Sequence, residues 1–336
     1  MAYKNVGTPR FYVNVVEWMA SQKVMGINDI MRTLPVYSSA GSFSLLTESL
    51  GMRAIQEDGF IAILGHNIKN NEAHYSLSNG EDGAKVHIAD IMNAGIEGGS
   101  DYDSYTPSYD GFSIGTFNGT DVQNIYLGFN TQIYAGSIVI GTFYDMPHSP
   151  DLSLSLSYEY GGIDEITTKG GNTLTNATWT RPPHWGIPTG APGEGDYASW
   201  TLRDPVETGY PEHLLTQSAR RIWDLSFSFI QDSDIFAKQS STNPKGSSTP
   251  EGVPWSDGDV WHNYQSLLDS NTFFSRVVHK TNGGQLPFIF NPSGGGTSPN
   301  NNPDMFAIAK LDMKSFQFKQ VANGVYNMKL KIREVW

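Results

Sequence analysis

The chain has 336 residues, a formal net charge of −12 and no cysteine. The absence of cysteine excludes disulfides, cysteine-ligated zinc and thiol catalysis, and the acidic balance argues against a nucleic-acid-binding protein. Only 17% of the residues are charged, whereas 12% are aromatic and 35 are glycine. This composition is typical of mainly β proteins, and the length predicts two or three domains.

The N-terminal segment, residues 1–35, is predicted to be an irregular to partly helical arm. A short β-like run within it begins at Phe11. The first residues show no apolar run behind a basic region, so no signal peptide is visible. No stretch of the chain approaches the ~20 apolar residues that span a bilayer. We therefore expect a protein that is made in a cytoplasm and does not insert into a membrane.

Residues 36–148 are predicted to form a β-sandwich built from short strands. The clearest strand candidate is 59–68, whose continuously apolar start is typical of a strand covered on both faces. Further strand-like runs lie at 86–92, 125–129 and 137–143. Their spacing is that expected of a sandwich.

Residues 149–336 are predicted to form a second β-domain with amphipathic strands. The apolar faces expected of three strands are Leu152, Leu154, Leu156 and Tyr158; Trp223, Leu225, Phe227 and Phe229; and Tyr326, Met328, Leu330 and Ile332. We expect a shared core made of Trp223, Phe227, Phe229, Phe288, Phe290, Tyr326, Met328 and Leu330. A loop arm is predicted at 161–215, and a mobile glycine-rich loop at Ser293–Ser298. Apolar residues at three- and four-residue spacings predict one amphipathic helix near 257–280.

The ionisable residues do not form a convincing catalytic or metal site. The eight histidines are dispersed and lack zinc spacing. Asp101, Asp103 and Asp110 lie in one loop and are candidate oxygen ligands of a cation. Asp164 with Glu165, and Asp232 with Asp234, are candidate acid–base pairs. Surface carboxylates are the more ordinary interpretation of all of them. We therefore predict no catalytic residue, no metal and no cofactor.

Aromatic residues in polar, proline- and glycine-rich loops are the candidate binding residues. They are Tyr102, Tyr105 and Tyr109 in the loop 101–111, and Trp179, Trp185 and Trp200 in the loop arm. Exposed aromatic side chains on loops mark protein interfaces or stack against sugar rings. Packing in a core is the alternative for each of them.

Three stretches of the C-terminal half occur together in a familiar order. They are Arg220–Phe229 with its Arg-x-Trp start, Leu286–Phe290 with Pro-Phe-Ile-Phe, and Val325–Glu334. This set resembles the tail-tube-like β-domain of tailed bacteriophage structural proteins, such as distal tail and minor tail proteins. The resemblance covers residues 150–336. It implies assembly into a ring, commonly sixfold, and carries over no catalytic residue.

A second resemblance covers residues 45–150. The runs Phe60–Asn67 and Ile138–Phe143 look like strands of a galactose-binding-like jelly roll, which is often found on phage tail components. The long loop arm departs from a minimal tube subunit and favours a tail-tip, baseplate or adaptor protein.

We therefore expect a non-enzymatic virion protein of the distal tail, tail tip or baseplate. Its C-terminal domain would pack edge to edge with copies of itself, and its helix would cover one sheet face. Further expected partners are other tail or baseplate proteins, without specific nucleic-acid binding. The alternatives are a carbohydrate-binding module that recognises host surface glycans and, less favoured, a glycan hydrolase.

Overall fold

The computed structural model describes the elements of the chain that follow, together with the short segments that flank them. The described residues are 6–21, 36–38, 41–46, 58–64, 73–78, 86–88, 112–117, 124–129, 133–135, 137–159, 163–177, 220–237, 270–297, 299–300 and 305–335. The strands are β1 (Arg10–Asn14), β2 (Val36–Ser38), β3 (Gly41–Leu46), β4 (Gly59–Leu64), β5 (Ala73–Ser78), β6 (Val86–Ile88), β7 (Phe112–Phe117), β8 (Asn124–Phe129), β9 (Ile133–Ala135), β10 (Ser137–Asp145), β11 (Ser155–Glu159), β12 (Ile163–Thr167), β13 (Thr173–Ala177), β14 (Arg220–Gln231), β15 (Phe288–Asn291), β16 (Ala307–Leu311), β17 (Phe318–Ala322) and β18 (Val325–Glu334). The helices are α1 (Val15–Ser21), α2 (Asp232–Ile235) and a π-helix, Phe274–His279.

The fold is mainly β, as predicted, and its principal element is a ten-stranded antiparallel sheet. The strand order is β11-β14-β18-β16-β15-β1-β10-β4-β7, and β17 pairs with β18 beside this path. The smaller sheets are β3-β8-β5-β6, β2-β9 and the hairpin β12-β13. The large sheet supplies the frame on which the remaining elements are placed.

The predicted packing helix is present at its C-terminal end. Phe273, Val277 and Val278 are buried in the main core cluster, and the ring of Phe273 meets that of Phe11 edge-on at 5.8 Å. This contact places the π-helix against one face of the large sheet. Residues 257–269 of the predicted helix lie outside the described residues.

The described part of the N-terminal arm contains the β-like run as β1 and a helix, α1, and β1 lies in the middle of the large sheet. Arg10 is opposite Asp145 on β10 and opposite Asn291 on β15. All residues of β1 are buried. The large sheet therefore contains strands from all three predicted segments, while the division into separate domains stays a prediction.

One glycine makes the pairing of β1 with β10 sterically feasible. A Cβ atom on Gly141 would lie 1.8 Å from the carbonyl oxygen of Val13. A distance so far below van der Waals contact involves backbone atoms, which have little freedom to move aside. Glycine at this position therefore allows the arm to enter the centre of the sheet.

The predicted core of the C-terminal half is confirmed at most positions and wrong at Phe229. Trp223, Leu225 and Phe227 are buried on β14. Pairing then shifts between Phe227 and Ile230, so that Ile230 is buried while Phe229 is 74% exposed. A β-bulge inserts one residue into the alternation and reverses the faces that follow it.

The alternation of the last strand is confirmed. Met328, Leu330 and Ile332 are buried, and Tyr326 is half-buried against the same cluster. The alternation predicted around β11 holds only in part. Leu154 and Leu156 pack on the core, whereas Leu152 lies before the strand and is fully exposed, and Tyr158 is 38% exposed.

The glycine-rich loop predicted to be mobile is packed where it is described. The amide of Gly295 donates a hydrogen bond to the carbonyl oxygen of Thr8 at 2.9 Å. Gly294 and Gly295 are both buried, and a Cβ on Gly295 would lie 2.9 Å from Cγ of Asp145. The glycines therefore allow close approach rather than movement.

Candidate assembly surface

Most of the predicted site residues lie outside the described part of the chain. This holds for the aromatic candidates Tyr102, Tyr105, Tyr109, Trp179, Trp185 and Trp200 and for the acidic candidates Asp101, Asp103 and Asp110. Asp164 and Glu165 lie on β12, and Asp232 and Asp234 lie in α2. Within the described residues, no group of three or more histidine or acidic side chains is placed to hold a metal ion, and no helix is long and apolar enough to cross a membrane.

Two strands of the C-terminal half have open edges. Among the described strands, β11 pairs only with β14, and β17 pairs only with β18. Ser155 and Ser157 of β11 are exposed, and so are residues 319–322 of β17. An edge that no other described strand covers is a template for further strand pairing, because the backbone N–H and C=O groups of a sheet edge can bond to another strand.

A buried ion pair fixes the strands next to the β11 edge. The backbone amide and Nε of Arg221 donate to Glu334 Oε2 at 2.9 and 3.0 Å, and Nη2 donates to Oε1 at 3.0 Å. Nη2 also donates to the carbonyl oxygen of Phe306 at 2.7 Å. The guanidinium lies 5.1 Å from the ring centre of Trp223. These contacts tie β14 to β18 and to the start of β16.

A second ion pair reaches the edge strand itself. Arg333 of β18 donates a hydrogen bond to Glu159, the last residue of β11. Both side chains are more than a third exposed, so removing one partner of this pair costs far less than removing one partner of the buried pair. It nevertheless orients the end of β11 from which the chain leaves the sheet.

Part of the predicted loop arm is a β-hairpin. Strands β12 and β13 pair in register from Ile163 opposite Ala177 to Thr167 opposite Thr173. The turn is closed by the amide of Thr168, which donates to the carbonyl oxygen of Asn172 at 2.8 Å. The positive φ of 82° at Gly171 is a conformation that suits glycine. Turn residues in the segment Thr168–Asn172 were the available sequence signal.

The hairpin presents an uncovered apolar pair. Ile166 and Leu174 are directly opposite each other and are 66% and 61% exposed. Lys169 is exposed at the tip of the hairpin. A two-stranded hairpin alone is marginally stable in water, and exposed apolar residues that face each other favour a contact with another surface.

A groove of about 920 Å³ lies where β14 runs into α2. Its apolar part includes Phe236 and Tyr326, whose rings meet at 5.4 Å and 79°. Its polar part includes Asp232, Ser233 and Asn323. The amide of Asp232 donates to the carbonyl oxygen of Gly324 at 2.8 Å, which joins α2 to the turn between β17 and β18. Sequence analysis did not identify this groove, because its residues come from segments about ninety positions apart.

Burial shifts the pKa values of two groups where α1 meets the π-helix. Burial lowers the pKa of His279, and the charge of Lys280 lowers it further. The ring of His279 lies 5.2 Å from that of Trp18, so α1 and the π-helix meet at this residue. Burial also raises the pKa of Glu17, against a hydrogen bond from Asn14 that lowers it. Both groups therefore lie in the packing contact between α1, β1 and the π-helix.

Comparisons of the chain with protein-family models, with curated proteins and with solved structures found no match. The geometry of the described residues therefore supplies the structural argument about function. Its most distinctive surface features are the two open strand edges, the apolar hairpin and the groove.

Proposed function

We propose that this protein is a non-enzymatic structural subunit of a bacteriophage tail, in the distal tail, tail tip or baseplate. In this proposal it assembles with copies of itself into a ring, and the resemblance of residues 150–336 to tail-tube-like domains implies the sixfold symmetry that is common among them. The observation that carries the proposal is that the C-terminal part of the large sheet has, among the described strands, two different open edges, β11 and β17. A closed head-to-tail ring needs two different, mutually complementary surfaces on each subunit.

The β11 edge is suited to pairing with another strand. Its sequence, Ser-Leu-Ser-Tyr-Glu, contains neither proline nor lysine, the residues that commonly protect an edge from pairing. The β17 edge of the next copy is of equal length, five residues. Strand direction alternates across β11, β14, β18 and β17, so β11 and β17 run in opposite directions. A second copy related to the first by rotation about the ring axis therefore places its β11 antiparallel to β17 of the first copy.

The two edges are staggered along the sheet. Strand β14 serves as the reference for this offset. The centre of β11, Ser157, is opposite Ile222 of β14. The centre of β17, Gln320, is opposite Tyr326 of β18, which is in turn opposite Ile230 of β14. At ~3.3 Å per residue this offset is about 25 Å. Closing strands into a barrel-like ring requires such a stagger together with a tilt of the strands. The net charge of −12 is also compatible with a channel that passes DNA without binding its phosphates.

Assembly is tested by light scattering and negative-stain electron microscopy of the purified chain over a range of concentrations. We expect closed rings with a central hole wide enough for duplex DNA. Ser157→Lys places a charge on the open edge and should weaken ring formation, whereas Gln285→Lys, on an exposed loop after the π-helix, should not. Particles that stay monomeric at every concentration would contradict the proposal. Binding of such monomers to a host glycan array would favour the carbohydrate-binding alternative.

A further inference from the structure

We infer that the β12–β13 hairpin of one copy docks into the groove at Asp232, Phe236 and Tyr326 of the next copy. The inference rests on the proposed ring assembly and adds a specific contact to it. It assigns one occupant, a second copy of this chain, to a groove that has no other assigned role. The hairpin and the groove are different surfaces, so the contact is heterologous and can repeat around a ring.

The hairpin needs a partner because its own chain leaves its apolar pair in water. Ile166 and Leu174 together form one cross-strand contact on a single face of the hairpin and remain more than half exposed. Burying these two side chains in a contact removes their apolar surface from water and thereby stabilises the contact. The hairpin is therefore more stable docked than free.

The groove matches the hairpin in chemistry. Its aromatic side chains, Phe236 and Tyr326, provide an apolar surface for Ile166 and Leu174. The carboxylate of Asp232 is exposed at the polar side of the groove, where the ammonium group of Lys169 at the tip could reach it. Opposite charges at the rim of a contact orient it and select the correct partner.

The geometry favours a neighbouring copy over the same copy. The hairpin follows Glu159, which is opposite Arg220 at the start of β14, whereas the groove lies at Gln231, the end of the same strand. Eleven residue steps of extended chain separate these ends by about 36 Å. Within one chain the hairpin therefore leaves the sheet far from its own groove.

Edge pairing removes that separation. If β11 of the next copy lies antiparallel along all of β17, its Glu159 comes beside Phe318, which is opposite Met328 and through it Phe227. The groove at Gln231 is then four residues away along the sheet, about 13 Å. Glu159 and Ile163, the first residue of β12, are four positions apart in the sequence, and extended chain of that length spans about 13 Å. Because β11 of the neighbour would point away from the groove at Glu159, its hairpin reaches the groove when the chain turns back after that residue.

A charge exchange tests the contact with surface variants only. Lys169→Glu and Asp232→Lys each place like charges in contact and should lower the self-association constant of each interface about fivefold. Mixing the two single variants should restore assembly, because each hairpin then meets a groove of opposite charge. The double variant should assemble alone for the same reason. Restoration on mixing also shows that both single variants are folded.

The chain has no cysteine, so engineered thiols give a second test without background. Gly170→Cys occupies open space at the hairpin tip, and Ser233→Cys lies in the groove. On oxidation, a mixture of these two variants should give a dimer on a non-reducing gel. A mixture of Gly170→Cys with Gln285→Cys should not.

The outcomes separate this inference from the proposed function. Rings that form normally, without the disulfide and without loss of assembly in the charge variants, would overturn hairpin docking and leave ring assembly standing. Failure of the wild-type chain to associate at all would overturn both. A dimer that forms equally with the Gln285→Cys control would show random collision and would also overturn the docking contact.

Discussion

Replacing Glu334 by glutamine should destabilise the protein more than any other single exchange of a carboxylate for an amide in the C-terminal sheet. The Glu334 side chain is 6% exposed and receives three hydrogen bonds from Arg221, one of them from the backbone. Glutamine preserves the shape but removes the negative charge. The Arg221 guanidinium would then be a largely buried cation without its counter-charge.

The magnitude follows from the burial of the pair. Removing one partner of a buried ion pair typically costs 3–5 kcal/mol. The amide oxygen of glutamine can still accept the bonds from the backbone amide and Nε of Arg221, and Nη2 keeps the carbonyl oxygen of Phe306. We therefore expect a loss near the lower end, about 3 kcal/mol. Glu159→Gln, which breaks the half-exposed pair with Arg333, should cost about 1 kcal/mol or less.

Urea unfolding followed by tryptophan fluorescence measures both losses in one assay. Trp223 is 1% exposed and lies beside the Arg221 guanidinium, so its emission reports on this part of the sheet. Equal losses for Glu334→Gln and Glu159→Gln would refute the argument from burial. A double variant, Arg221→Met with Glu334→Leu, provides the control, because replacing both charges by apolar groups should recover much of the loss.

Two further predictions concern the bulge and the contact between α1 and the π-helix. Phe227→Ala should lower the free energy of unfolding by about 4 kcal/mol because it empties a fully buried position. Phe229→Gly should be neutral or stabilising by about 1 kcal/mol because it relieves a positive φ of 62°. Chemical denaturation that ranks the two variants the other way would contradict the bulge. The pKa of His279 in the folded protein is below the ordinary value of 6.5. As the pH falls, the unfolded chain therefore binds a proton at this histidine before the folded protein does. Stability consequently falls as the pH drops through about 6.5 towards the folded pKa. His279→Gln should reduce the loss of thermal stability between pH 7.5 and 5, and an unchanged loss would show that this histidine does not cause it.

Local periodicity predicted the sheet faces well wherever the backbone stayed regular. The apolar positions of β18 alternate without interruption, and the buried side chains are those that the alternation indicated. On β14 the alternation fails at one residue because the bulge after Phe227 is a backbone feature. The adjacency of two large apolar residues, Phe229 and Ile230, was the only local sign that the face would change.

Composition was a poorer guide to the loops. Glycine-rich sequence predicted mobility at Ser293–Ser298, but glycine also permits close approach, and Gly295 packs beside Thr8 and Asp145. The proline- and glycine-rich composition of 161–215 predicts a loop arm, but part of that segment is the hairpin β12–β13, and Gly171 lies in its turn. Which of the two roles a glycine has depends on its surroundings, which the local sequence does not specify.

The assembly surface could not be predicted residue by residue because an open edge is a property of topology. Strand β1 shows the difference: its apolar run is visible in the sequence, but its position between β10 and β15 depends on residues about 130 and 280 positions away. In the same way, Ser157 is an ordinary strand residue in the sequence, and only the order of the described strands places β11 at an edge. Whether a strand lies at the edge of a sheet is decided only once all the other strand pairings of that sheet are made. The charge exchange between Lys169 and Asp232 therefore tests more than one ion pair. Assembly restored by mixing would require the β11 side and the β17 side of the C-terminal sheet to lie where the strand order places them.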